Sequence, residues 1–81
     1  MDKDQIVKKL EEVIRDVMPE IDDISMTASI TQEYGVNSVS LIRLIVAAES
    51  RFSISFSDYE LALSSYDTFG DLAETIAEKL A

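Results

Sequence analysis

Ile6, Val7, Leu10, Val13, Ile14 and Val17 recur at helical spacing and form one apolar stripe. Lys8, Lys9, Glu11, Glu12, Arg15 and Asp16 fall mostly on the opposite face. Asp2 or Asp4 can cap the start of this helix. Pro19 stops it, because the residue before a proline avoids helical backbone. The pattern predicts a helix near residues 4–17 that serves core packing. Residues 19–36 follow as a long connection in which Ile21, Ile24, Met26, Ile30 and Tyr34 show no sustained period. A connection of this length in a small domain is unusual and often functional. Its apolar residues are expected to pin it across the helices, with a short helical turn at Ile30 to Glu33.

The second main helix is expected from Ser38 to Arg51. Val39, Leu41, Ile42, Leu44, Ile45, Val46 and Ala48 cover more than the single stripe a surface helix needs. So small a protein has difficulty burying a whole helix, which predicts exposed apolar surface around Val39, Ile42 and Val46. Phe52, Ile54 and Phe56 alternate with serines, but the stretch is too short for a strand and has none to pair with. It reads as an extended connector that plugs the core. Ser57 or Asp58 then caps a short helix over Asp58 to Leu63, with Leu61 and Leu63 inward. Ser64 to Asp67 reads as a loop. Thr68 begins the last helix, with Asp71 three residues on as an approximate capping box. Leu72, Ala73, Ile76, Ala77 and Leu80 form its stripe, and Phe69 anchors its start. The expected fold is all-α: an antiparallel bundle of three main helices plus one short helix, with a long loop between the first two main helices. Residues 1–81 form a single domain.

Composition removes whole classes of function. The 81 residues include no cysteine and no histidine. Ser-His-Asp and Cys-His catalysis are therefore excluded, and so is an ordinary zinc site. Nothing places two acids around a pocket, so no catalytic residue and no metal site is assigned. Asp22 and Asp23 lack the ligand spacing of a calcium loop and read as a solvated acidic turn. No apolar run approaches the roughly 20 residues of a membrane span, and the charged start shows no signal peptide. A cytoplasmic monomer without membrane insertion is the expectation.

The net charge of −9 argues against nucleic acid as a partner. Its distribution is informative. Residues 16–36 carry five acids and no base, and residues 52–81 carry six acids against Lys79 alone. Residues 37–51 carry Arg43, Arg51 and Glu49, a net charge of +1. After the first helix, the stretch from Asn37 to Arg51 is the one part of the chain that is not acidic.

At the mouth of that stretch lies Tyr34-Gly35-Val36-Asn37-Ser38-Val39-Ser40-Leu41. Gly35 suits the end of a loop. Asn37 and Ser38 are both good cap residues, whose side-chain oxygens accept from free amides of a first helical turn. Ser38 is expected at a solvent-facing corner, a suitable place to present a hydroxyl to another protein. Taken alone, a serine before a helix is most often only a cap.

Four segments change those odds. Gly35-Val36-Asn37-Ser38-Val39 resembles the Gly-x-Asp-Ser-Leu motif of acyl carrier proteins. Glu49-Ser50-Arg51-Phe52-Ser53-Ile54 resembles their Glu-x-x-Phe-x-Ile stretch. Ser57-Asp58 opens the short helix as in that family. Tyr66-Asp67-Thr68-Phe69-Gly70-Asp71-Leu72 resembles the segment that opens their last helix. The four occur in the family's order and the resemblance spans nearly the whole chain. It implies a specialised, freestanding carrier that is not itself an enzyme. Ser38 would bear a covalent 4′-phosphopantetheine, with Asn37 flanking it, and acyl groups would be held on the arm as thioesters. A phosphopantetheinyl transferase would install the arm from coenzyme A with Mg²⁺. Acyl-loading, ketosynthase or acyltransferase-type enzymes would be further partners, in fatty-acid-like, polyketide or other specialised biosynthesis. Val39, Ile42, Arg43, Val46 and Glu49 would read partners. Leu44, Ile45, Ala48, Ile54, Phe56 and Leu61 would line a shelter for the chain. An aminoacyl or peptidyl carrier of a nonribosomal pathway is the alternative cargo reading, and an unmodified helical interaction module the alternative outside the family. Two residues depart from the family pattern: Asn37 stands where Asp is usual, and Arg43 where fatty-acid carriers place an acid.

Overall fold

A computed structural model describes residues 2–81. Its helices are α1 (Lys3–Val17), α2 (Ile30–Tyr34), α3 (Ser38–Phe52) and α4 (Phe69–Leu80). Two 3₁₀ turns, Asp58–Leu61 and Leu63–Ser65, lie between α3 and α4. No strand is present among the described residues. The protein is a small all-α bundle with three long helices. α1 packs on both α3 and α4, and Ile6, Leu10, Val13 and Ile14 bury its stripe.

Each long helix starts where its sequence supplies a cap. Asp2 Oδ1 accepts from the Gln5 amide at 2.9 Å, and Gln5 returns the contact to the Asp2 amide. Asn37 Oδ1 accepts from the Ser40 amide at 2.9 Å. Thr68 Oγ1 accepts from the Asp71 amide, and Asp71 Oδ2 accepts from the amides of Asp67 and Thr68. These bonds satisfy donors that helix starts otherwise leave open.

The long connection is strapped to the start of α4. The Ile30 amide donates to Asp67 O and the Gly70 amide to Met26 O, both at 2.9 Å. Ser29 and Thr68 form an isolated antiparallel bridge. Tyr34 stacks on Phe69 with ring centroids 5.3 Å apart. The Tyr34 hydroxyl donates to Asp23 O and accepts from the Ser25 amide. Gly35 ends α2 in the left-handed region, at φ 63°, where a side chain is costly.

Two expectations are revised. The short helix expected over 58–63 is instead a pair of 3₁₀ turns, broken where Ala62 turns extended (ψ 135°). Short runs without a sustained stripe favour such turns over an α-helix. Phe52 belongs to the last turn of α3, where it is buried, so the connector begins at Ser53 with φ 56°.

Candidate functional site

Ser38 is the first residue of α3 and is exposed. Three features put it there. Gly35 turns the chain, Val36 is buried and fixes the approach, and Asn37 caps the helix. The open N-terminal end of a helix favours a phosphate-bearing group, because its free amides and dipole are positive. Ser38 also forms one wall of a groove completed by Thr31, Ile42, Leu61, Ala62, Leu63, Ser64 and Tyr66. A group attached to the Ser38 hydroxyl would have both solvent and a partly apolar trough beside it.

The expected partner residues divide. Val39, Ile42 and Val46 are 66%, 41% and 54% exposed, and Arg43 lies exposed between them. Ile42 also lines the groove. Glu49 is turned inward: its Oε2 accepts from the Phe56 amide at 2.8 Å and ties the connector to α3. Arg51, the other arginine of this helix, pairs with Asp16 at 2.8 Å and Glu12 at 3.6 Å on α1.

The residues expected to shelter a chain also divide. Leu61 lines the groove. Ile54 and Phe56 pack partly buried against the core. Leu44, Ile45 and Ala48 are wholly buried in it. Thr31, Ala62, Leu63, Ser64 and Tyr66 were not singled out for this groove. Of these, Leu63 was expected only to face inward, and Tyr66 carried a signal through its place in the segment that opens the last helix.

The groove's far wall, residues 58–66, is held by a compact polar cluster. Glu60 Oε1 accepts from Lys79 Nζ, the Ser57 amide and the Ser57 hydroxyl, each at 2.8 Å. The Lys79 contact, followed by those from Ser57, holds the Glu60 carboxyl down at about 2. Lys79 also sits 5.1 Å above the Phe56 ring. The Tyr66 hydroxyl donates to Glu60 O at 2.7 Å. Burial, then the nearby Glu60 charge, pushes the Tyr66 phenol up to about 12.

A pH dependence follows with a definite sign. Glu60 is more acidic folded than unfolded, so its ionised form favours the fold. That stabilisation is complete above about pH 4.5, the ordinary value, and is lost as pH falls toward 2. Glu60→Gln is expected to melt below the wild type at pH 6, with the gap closing by about pH 2.5. Thermal melts followed by circular dichroism across that range check it. A gap independent of pH would assign Glu60 a packing role only.

Residues 8–76 match the family model described as "Phosphopantetheine attachment site". The chain is 31% identical over 81 residues to an acyl carrier protein of Petrotoga mobilis, covering 99% of this chain and 93% of that one. It is 32% identical over 79 residues to an acyl carrier protein of Acidothermus cellulolyticus, covering 95% and 90%. The chain belongs to the acyl carrier protein family. Membership brings a covalently attached 4′-phosphopantetheine and the role of a carrier rather than an enzyme. It also implies contact with a phosphopantetheinyl transferase and with biosynthetic enzymes. Among the described residues no helix is long and apolar enough to cross a membrane. The carrier's arm needs an exposed hydroxyl at the end of a rigid element, and Ser38 at the start of α3 fits that need.

Proposed function

We propose that Ser38 bears the 4′-phosphopantetheine and that this carrier presents acyl intermediates in a specialised cytoplasmic biosynthesis. The observation that carries the reading is the exposed Ser38 at the capped start of α3, facing a groove, inside the segment that resembles the family's attachment motif. The arm supplies a thiol, the group this cysteine-free chain lacks, for holding cargo as a thioester. The chain's own residues supply the rest. The Ser38 hydroxyl provides the linking oxygen. Asn37 fixes the corner, and the amides at the start of α3 favour the phosphate. Ile42, Leu61 and Leu63 offer apolar contact to the first part of the cargo. A longer chain sheltered in the bundle would have to part Leu44, Ile45 and Ala48 from Ile54 and Phe56. Loading enzymes, ketosynthases or acyltransferases would then read the strip of α3 around Val39, Ile42, Arg43 and Val46. The absence of acids on that strip favours a specialised pathway over general fatty-acid synthesis.

The test is intact mass after incubation with coenzyme A, Mg²⁺ and the phosphopantetheinyl transferase of the same source organism. Wild type is expected to gain one phosphopantetheine, and Ser38→Ala to gain none while keeping its helical circular-dichroism spectrum. A Ser38→Ala protein that is still modified would move the arm elsewhere. A wild type that stays unmodified would favour an unmodified helical interaction module.

A further inference from the structure

Among the described residues, exposed large apolar side chains are few, and they cluster. Of Val39, Ile42, Val46 and Tyr59, the first three lie on one ridge of α3. Their spacing of three and four residues places them on one face, with Arg43 in the same row. The ridge begins one residue after Ser38. At 1.5 Å per residue it extends roughly 10 Å along the helix to Val46. An enzyme that acts at Ser38 from the solvent side therefore has this ridge directly beside its target.

The charge on this ridge is opposite in sign to that of the other segments after α1. After α1 the described residues carry three cations, of which Arg51 and Lys79 are each paired with a carboxylate and Arg43 is not. The one acid between Asn37 and Arg51 is Glu49, and its Oε2 is turned onto the Phe56 amide. The ridge thus shows a partner three aliphatic side chains and one free guanidinium. Residues 16–36 and 52–81 together carry eleven acids against Lys79 alone, so a uniformly basic partner surface would be drawn to those segments and not to this ridge. A guanidinium covered without an opposite charge would be desolvated at a cost.

We infer that the enzyme which modifies Ser38 docks on this ridge through an apolar patch carrying a carboxylate opposite Arg43. The inference rests on Ser38 as the attachment residue. The carboxylate would accept from the guanidinium fork, while the apolar patch covers Val39, Ile42 and Val46. Repulsion elsewhere on the two surfaces is screened beyond about 8 Å at physiological salt, whereas a pair in contact is not.

The experiment measures initial rates of modification by the source organism's own transferase, with coenzyme A and Mg²⁺, for wild type, Arg43→Lys and Arg43→Glu. The carrier concentration is varied to separate KM from kcat. Arg43→Glu is expected to raise KM about tenfold with kcat within about twofold, because reversing a docking charge acts mainly on encounter and binding. Arg43→Lys should stay near wild type. The Arg43→Glu deficit should shrink as NaCl rises from about 50 to 500 mM. Arg43 makes no ion pair within the described residues, so the variant should fold, and circular dichroism verifies this. An Arg43→Glu protein with unchanged or lower KM would overturn the inference while leaving Ser38 as the attachment residue. A wild type that is not modified at all overturns the Ser38 reading, and this inference with it.

Discussion

Phe69→Ala should leave a chain that is largely unfolded in mild denaturant. Phe69 is the bulkiest of the fully buried side chains. Truncating a buried phenylalanine costs about 3–5 kcal/mol, from lost transfer energy and the cavity left behind. The stack on Tyr34 adds about 0.5–1.5 kcal/mol that the same change removes. A chain of this length has a total stability of only about 4–12 kcal/mol. The loss therefore consumes most of what holds the fold. Urea unfolding followed by helical circular dichroism measures it directly. A cost below about 1 kcal/mol would mean that the site collapses around the truncated residue and that Phe69 does not anchor α4.

Gly70→Ala should also destabilise, against the usual trend. Within a helix, replacing glycine by alanine normally gains about 1 kcal/mol. Here an added Cβ would lie 2.7 Å from Met26 O, a backbone atom, and 3.4 Å from Thr68 Oγ1. The same Met26 oxygen accepts from the Gly70 amide at 2.9 Å. The methyl group cannot be admitted unless the strap moves off the helix. Overpacking of this kind costs about 1–3 kcal/mol, which outweighs the gain in propensity. Gly35→Ala is the fair comparison. Nothing lies within 4 Å of a Cβ there, so only the left-handed backbone penalty of about 1–2 kcal/mol applies. A Gly70→Ala protein more stable than wild type in urea would show that the strap yields at little cost.

The parts of the fold set by local rules were legible in the sequence. The stripe from Ile6 to Val17, the caps at Asp2, Asn37 and Thr68 and the stop before Pro19 each depend on residues within a few positions. The short helical turn at Ile30 was visible for the same reason. Tertiary choices were not. Glu49 was expected among the residues that read partners, because its acceptor role needs the Phe56 amide seven residues on, and only the turn at Ser53 brings them together. Arg51 resembled Arg43 in every local respect. What separates them is α1, which offers Asp16 and Glu12 to one and nothing to the other. Leu44, Ile45 and Ala48 were recognised as inward, but periodicity does not distinguish a packed core from the wall of a pocket. The 58–65 segment lacked a stripe long enough to decide between an α-helix and 3₁₀ turns. For the site itself, Ser38 came from motif and cap chemistry, while the groove beside it came from chain segments that meet only in three dimensions.

The strap has a consequence for the order of folding. Helical bundles generally fold fast because most of their contacts are local. The bridge between Ser29 and Thr68 joins positions 39 apart in the chain, and the Met26 bond to Gly70 spans 44. Such closures carry the largest loop entropy and bring little backbone pairing of their own. They are natural candidates to form late and to open first, before α1 and α3 separate. The connection that leads toward the Ser38 corner would then be the last part of the molecule to lock, while Ser38 itself stays on α3, whose packing on α1 holds longer.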